Sequence, residues 1–290
     1  MTSSTGRARP WPAVLVTAGG LLAFLVSAAW LVATGNSAVR YSADSVETVE
    51  MWRRWVPALA GIAAVRLLPL PGRPAVVGPS STSAARLESL ALVALALAFA
   101  VGLFVIGGGE PAHTLGKLAL LVAVPLVLLR RRRRRGTAWR AAVTGSAIWR
   151  AIGPAIAVAV WGLLAFASPL AVPGSDYAST VAPLELVATI AVGFVVNAVV
   201  EEFFYRRWLL SRTQAWLGMW PAIVVSSLLW SLWHVAIQGT GDLGVDLASA
   251  VVTHAPTGVF LGYLWSRYRL MWPLLAVHGA LNAVGLFTGS

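Results

Sequence analysis

The sequence predicts an all-α polytopic membrane protein, a bundle of about eight to nine transmembrane helices around an intramembrane cavity. Three observations carry that prediction. Of the 290 residues, 58% are hydrophobic and only 11% are charged, whereas a soluble protein is about a quarter charged. Mean hydropathy is +0.76. The apolar residues fall into long runs, and a spanning helix needs about 20 of them. With so few charges to cover apolar surface, the solvent of this chain is lipid. There is no cysteine, so disulfides, thiolate nucleophiles and thiolate metal sites are excluded.

In chain order the candidate spans are Pro12–Thr34, Trp55–Leu70, Ser89–Gly108, Leu115–Leu129, Ile148–Val172, Val181–Val200, Met219–Gln238, Asp246–Trp265 and Met271–Phe287. The second is short and contains Arg66. No small-residue cleavage site follows the first span, so a removed signal peptide is not expected. Of the 22 basic residues, 21 are arginine, and the formal net charge is +11. In a soluble protein that balance would suggest nucleic acid. In a polytopic chain basic residues collect in cytoplasmic loops, so no nucleic-acid partner is expected. Six consecutive arginines, Arg130–Arg135, follow the fourth span. With that run in the cytoplasm, Arg7, Arg9, Arg73, Arg86, Arg206, Arg207, Arg212, Arg267 and Arg269 lie on the same side, and the N-terminus is cytoplasmic. The run is read as a topological anchor that touches anionic headgroups. The loop Leu70–Ala85, with Pro, Gly and Ser throughout, reads as a flexible cytoplasmic linker. The expected organisation is 1–88, N-terminal helices and linker; 89–144, a transmembrane hairpin with the poly-Arg loop; and 145–290, a catalytic helical core.

The chemistry concentrates in that last part. Glu201-Glu202-Phe203-Phe204-Tyr205-Arg206 follows directly on an apolar run. Ionisable residues at membrane depth are costly and mark function by default. On a helix, residues four apart share a face, which pairs Glu202 with Arg206 and Glu201 with Tyr205. Glu202 is then neutralised, and Glu201, about 100° round the helix, is left for other work. A carboxylate in a poorly hydrated cavity can serve as a general base. The bland alternative is a charge cluster at the cytoplasmic end of a span. His234 lies inside the apolar stretch that contains Trp230 and needs a polar partner. His278 and Asn282 are four residues apart on the last helix and make one donor face, suited to a developing oxyanion or to helix–helix hydrogen bonding. His254 is read as structural, and His113 as an inert loop residue.

These residues, in this order, resemble the CPBP group of intramembrane proteases, which includes type II CAAX prenyl endopeptidases and bacterial bacteriocin-processing or self-immunity (Abi) proteins. The matching positions are Glu201, Glu202 and Arg206, then Trp230 and His234, then His278 and Asn282, within about residues 180–285. One departure stands out: the second motif of that group usually begins with Phe, and this chain has Trp230. A retained aromatic wall with an altered pocket shape is expected there.

The resemblance implies peptide-bond hydrolysis of a membrane-tethered protein or hydrophobic peptide in the bilayer. Glu201 would be the general base, His234 would hold the water, and His278 with Asn282 would stabilise the oxyanion. Glu202 and Arg206 would support the first helix. No metal is expected, since no His-Glu-x-x-His motif is present; the zinc alternative would use Glu201, His234 and His278, with a fourth position open. The alanine-heavy, nearly lysine-free composition suggests a bacterial plasma membrane. Two other functions remain compatible with these residues. One is a non-catalytic immunity or scaffold protein. The other is a proton-coupled transporter, disfavoured because no internal repeat is visible.

Overall fold

A computed structural model describes residues 11–42, 47–69, 74–77, 82–133, 140–143, 146–174 and 177–286. The protein is an all-α bundle. Seven helices are long and apolar enough to cross a membrane: Trp11–Ala33, Ser83–Val105, Ala112–Arg130, Ala147–Phe166, Pro183–Leu217, Met219–Gln238 and Leu243–Tyr268. Two of the expected spans are not among them. The Trp52–Leu67 helix has 16 residues, about 24 Å of length, and it carries Arg53, Arg54 and Arg66. The Trp272–Ala283 helix has 12 residues, about 18 Å. Both therefore fall short of a hydrocarbon core about 30 Å thick.

The central element is the Pro183–Leu217 helix of 35 residues. Pro183 begins it, where a missing N–H costs nothing. It does not stop at Val200, where the apolar run gives out. It continues through Glu201 and Glu202 and widens into two π-helical stretches, Phe194–Val199 and Glu202–Leu210. Gly218 then turns the chain with φ 90°, a conformation that a Cβ would strain. The Met219–Leu232 helix packs antiparallel against what precedes it.

Next comes the Leu243–Tyr268 helix, capped by Asp242, whose side chain accepts from the N–H groups of Gly244 and Val245 at 2.9 and 3.1 Å. Such a cap satisfies amide donors that the first turn leaves unpaired. This helix is the most enclosed of the spans. At Gly258 it approaches the Met219–Leu232 helix so closely that a Cβ would sit 2.9 Å from the Ser227 Cβ. Small residues at such crossings let helix backbones meet within a membrane.

The N-terminal helices are part of the bundle. The Trp55 indole donates to the Val252 carbonyl at 2.8 Å, and Arg53 donates to the carbonyls of Pro169 and Ala171 at 2.9 and 2.6 Å. The organisation expected from sequence is revised at two points. A boundary at 88/89 falls inside the Thr82–Val105 helix, because the charges of Arg86 and Glu88 obscure its first turns. Within the expected linker 70–85, residues Pro74–Val77 form a strand paired antiparallel with Arg140–Val143. A second short pair joins Ala38–Arg40 to Thr48–Glu50. Arg134 and Arg135 lie outside the described residues; Arg130–Arg133 close the helical stretch 112–133.

Two arginines that the topology reading places in a cytoplasmic loop are instead buried in helices. Arg206 is 0% and Arg212 6% exposed. Arg212 is paired with Glu88 at 2.8 Å. They act in packing and cannot be counted as loop charges. Large apolar side chains such as Leu15, Leu22, Val105 and Leu184 face outward. That surface suits lipid and fits the hydropathy of the spans: this is an integral membrane protein.

Candidate active site

A cavity of about 790 Å³ opens between the helices. Glu201, Trp230, His234, His278 and Asn282 all line it. Three separate stretches of sequence are thus brought to the cavity: the middle of helix 183–217, the end of 219–232 with the break at 233–234, and the last helix.

Glu201 is fully buried from bulk solvent. Its Oε1 accepts from the Lys117 ammonium at 2.5 Å, and its Oε2 accepts from the Trp230 indole N–H at 2.5 Å. It does not bond Tyr205, whose buried hydroxyl has no partner among the described residues. The two Glu201 oxygens are turned to Lys117 and Trp230 instead. Glu202 faces away from the cavity. It accepts from His278 Nδ1 at 2.7 Å and lies 3.3 Å from the Arg206 guanidinium. Arg206 in turn stacks over the Trp230 ring, 4.7 Å from its centroid.

His234 sits in the two-residue gap after the Met219–Leu232 helix. Its Nδ1 lies 3.1 Å from the Trp230 carbonyl. A carbonyl can only accept, so Nδ1 carries the proton and Nε2 of a neutral ring is the acceptor. The ring is held between Trp233, at 3.9 Å, and His254, at 3.6 Å. By the same logic His278 donates through Nδ1 to Glu202, leaving Nε2 as the nitrogen not engaged by that carboxylate. Asn282 presents a buried Nδ2 with no hydrogen-bond partner among the described residues. A buried donor without an acceptor is costly, and it stands beside a cavity that could hold one.

Several neighbours of these residues were unread in the sequence or read only as packing or loop residues. Lys117 is the single lysine of the chain, and a lone ammonium inside an apolar run is the signal that could have found it. His254 is more than a packing residue: it lines the cavity, stacks on His234 and bonds Gln238 Oε1 at 2.8 Å. His113 is in the Ala112–Gly116 helix, and not in a loop. It too lines the cavity and bonds Glu110 Oε1 at 3.0 Å. Burial pushes the Glu110 carboxyl up, but hydrogen bonds from His113 and Thr114 outweigh it and hold the group below the usual carboxylate range.

Among the described residues no three His, Asp or Glu side chains converge to hold a metal ion. The zinc set Glu201, His234 and His278 is not assembled. Both oxygens of Glu201 are engaged by donors, one of them already a cation, and His278 has turned its Nδ1 to Glu202. A dication bound to Glu201 would stand against the Lys117 ammonium already on its Oε1, and this disfavours Zn²⁺ there.

A membrane-embedded helical bundle whose cavity brings the Glu201 carboxylate, the His234 and His278 imidazoles and an unpaired amide donor together has the make-up of an intramembrane hydrolase. The family model described as Type II CAAX prenyl endopeptidase Rce1-like matches residues 183–284. The match spans about a third of the chain, contains every motif residue from Glu201 to Asn282, and belongs to the same CPBP/CAAX protease group that those motifs resemble. It supports an intramembrane protease function in general, acting on membrane-tethered protein substrates. No curated protein and no solved structure matches the chain.

Proposed function

We propose that this protein is an intramembrane endopeptidase of the glutamate type. It hydrolyses a peptide bond of a membrane-associated protein or peptide, either a CAAX-type tail or a bacteriocin- or leader-type segment. The observation that carries the reading is the convergence of Glu201, His234, His278 and Asn282 on one cavity, from segments up to 81 residues apart in sequence (201 to 282).

The roles follow from the donors and acceptors each residue offers. A carboxylate has about four lone-pair sites, and Lys117 and Trp230 occupy one on each oxygen, so Glu201 keeps capacity for a water. That water gives a proton to Glu201 as its oxygen attacks the scissile carbonyl carbon. His234 Nε2 accepts the second hydrogen of the water and holds its lone pair toward the carbon. The carbonyl π electrons move onto oxygen, and Asn282 Nδ2 donates to that oxyanion; His278 adds a second donor only as the imidazolium, with Nε2–H turned to the oxygen and Nδ1–H kept on Glu202. As the C–N bond breaks, Glu201 returns the proton to the leaving nitrogen. Preorganised donors of this kind act strongly in a cavity of low dielectric. Glu202 and Arg206 hold His278 and Trp230 in place from behind.

The N-terminus and the poly-Arg segment are assigned to the cytoplasm of a bacterial plasma membrane, with the cavity reached from that side. The reading is tested by comparing protein termini in membranes of cells that make the wild type or Glu201→Gln at matched levels. New termini present only with the wild type are expected, and they identify the substrate. Identical termini under several growth conditions would overturn the protease reading.

A further inference from the structure

Glu201 is gripped on both oxygens by residues that its motif does not contain or does not usually supply. We infer that Lys117 and Trp230 are positioning residues that fix the plane and the negative charge of the Glu201 carboxylate, one donor to each oxygen. The inference rests on the reading of Glu201 as the base, but the grip itself can be tested without any substrate.

Lys117 is 0% exposed and does not line the cavity. Two of its three N–H groups have acceptors. One donates to Glu201 Oε1 at 2.5 Å and one to Asn197 Oδ1 at 2.6 Å. The ammonium also lies 4.3 Å from the centroid of the Trp233 ring, within range of cation–π attraction. An ammonium taken out of water without a counter-charge is strongly disfavoured. Lys117 therefore needs Glu201, and Glu201 in its ionised form needs Lys117. A wide guanidinium fork would not match this compact site, in a chain whose other 21 basic residues are all arginine. Because the ammonium stands behind the carboxylate, away from the cavity, it acts through Glu201 and not on the substrate.

Trp230 completes the grip. Its Nε1–H reaches Glu201 Oε2 at 2.5 Å. A phenylalanine at this position would fill similar space but offer no donor. The departure of this chain from the resembled motif is thus polar: the indole edge does work that a benzyl ring cannot. With one donor on each oxygen, rotation about the last side-chain bond of Glu201 is stopped. Asn197, four residues before Glu201 and within the Phe194–Val199 π-helical stretch, anchors the same ammonium. Lys117 opens a π-helical stretch of its own, Lys117–Ala123. Irregularities of that kind gather at functional sites because they re-aim side chains. Here they bring two helices together at one ion pair. Lys117 lies outside the family-matched residues 183–284, so the grip ties the preceding hairpin to the catalytic helices.

The test uses the full chain in detergent and dicyclohexylcarbodiimide, an apolar reagent that modifies protonated carboxyl groups at membrane depth. Mass spectrometry of the peptide carrying Glu201 reads the extent, with fragmentation separating it from Glu202. Slow labelling of the wild type is expected. Lys117→Met and Trp230→Phe should each label Glu201 on the order of tenfold faster, the size expected for losing a charge-assisted hydrogen bond. Glu88→Gln breaks a buried ion pair away from the cavity and controls for general loosening; it should leave Glu201 labelling unchanged. In the comparison of membrane termini, Lys117→Met and Trp230→Phe should lower the yield of wild-type-specific termini by a similar factor. Wild-type labelling rates in both variants, or equal acceleration in Glu88→Gln, would overturn the inference. Accelerated labelling with no wild-type-specific termini would leave the grip standing and remove the protease reading.

Discussion

Both cavity histidines of the motif, His234 and His278, have their freedom removed by a neighbour. His234 is sandwiched between Trp233 and His254, and its Nδ1 is committed to the Trp230 carbonyl. His278 is committed to Glu202. Asn282 lines the cavity and presents a buried donor without an acceptor among the described residues, as a group reserved for a transient oxyanion should. Asn282→Ala should lower kcat by about 10²–10³-fold with little change in KM, the loss typical of one oxyanion donor. Steady-state kinetics on the substrate found from the terminus comparison would check it, and an effect confined to KM would refute the assignment. The Glu201–Glu202 pair shows how environment divides two adjacent carboxylates. One faces the cavity, and the other is spent on Arg206 and His278.

At the scale of elements, the decisive feature is that the Pro183–Leu217 helix continues past its apolar run. Charge at positions 201, 202, 206 and 207 reads as the end of a span, yet tertiary partners allow the helix to go on. Ser226 Oγ donates to the Tyr205 carbonyl at 2.9 Å and Ser211 Oγ to the Arg206 carbonyl at 3.3 Å, supplying partners where the π-helical stretch alters the regular ladder. The crossing at Gly258 and Ser227 sets how closely the two most buried helices approach. Gly258→Leu should destabilise the protein by about 1–3 kcal/mol, the usual penalty of overpacking, seen as a lower thermal midpoint in detergent. The loop before residue 112 offers a pH test. Glu110 is held below its ordinary value of 4.5 by His113 and Thr114, so its contribution is present above that value and lost as pH falls through the folded value. The stability advantage of the wild type over Glu110→Gln should therefore be full near neutral pH and fade below about pH 4.5. A pH-independent difference in thermal midpoint would count against it.

At the scale of the whole molecule, the N-terminal helices are packed onto the later ones through Trp55, Arg53 and the Glu88–Arg212 pair. The N-terminal part shapes the cavity as well, since Tyr41 and Arg54 line it. The orientation argued from basic residues can be checked directly, because the chain has no cysteine. Gly136→Cys, beside the arginine run, should react with an impermeant maleimide only from the cytoplasmic face of sealed vesicles. Ser175→Cys should react only from the opposite face. The reverse pattern would invert the topology.

The sequence by itself determined the solvent, the helical class and the identities of the motif residues. Apolar runs near 20 residues and scarce charge admit few other solutions in lipid, and Glu201, His234, His278 and Asn282 are each conspicuous inside such runs. Distances between those runs are not written in any local pattern. Only tertiary structure decided that the helix carrying Glu201 extends to Leu217, that Trp272–Ala283 is too short to span, and that the expected linker holds a strand. It also decided that Lys117 and Asn197 meet Glu201, that Trp230 points its N–H at a carboxylate, and that His254 stacks on His234. Local spacing fixes which residues share a helix face. Which face meets which, and therefore which charge is neutralised by which partner, depends on packing between segments as far apart as positions 117 and 201.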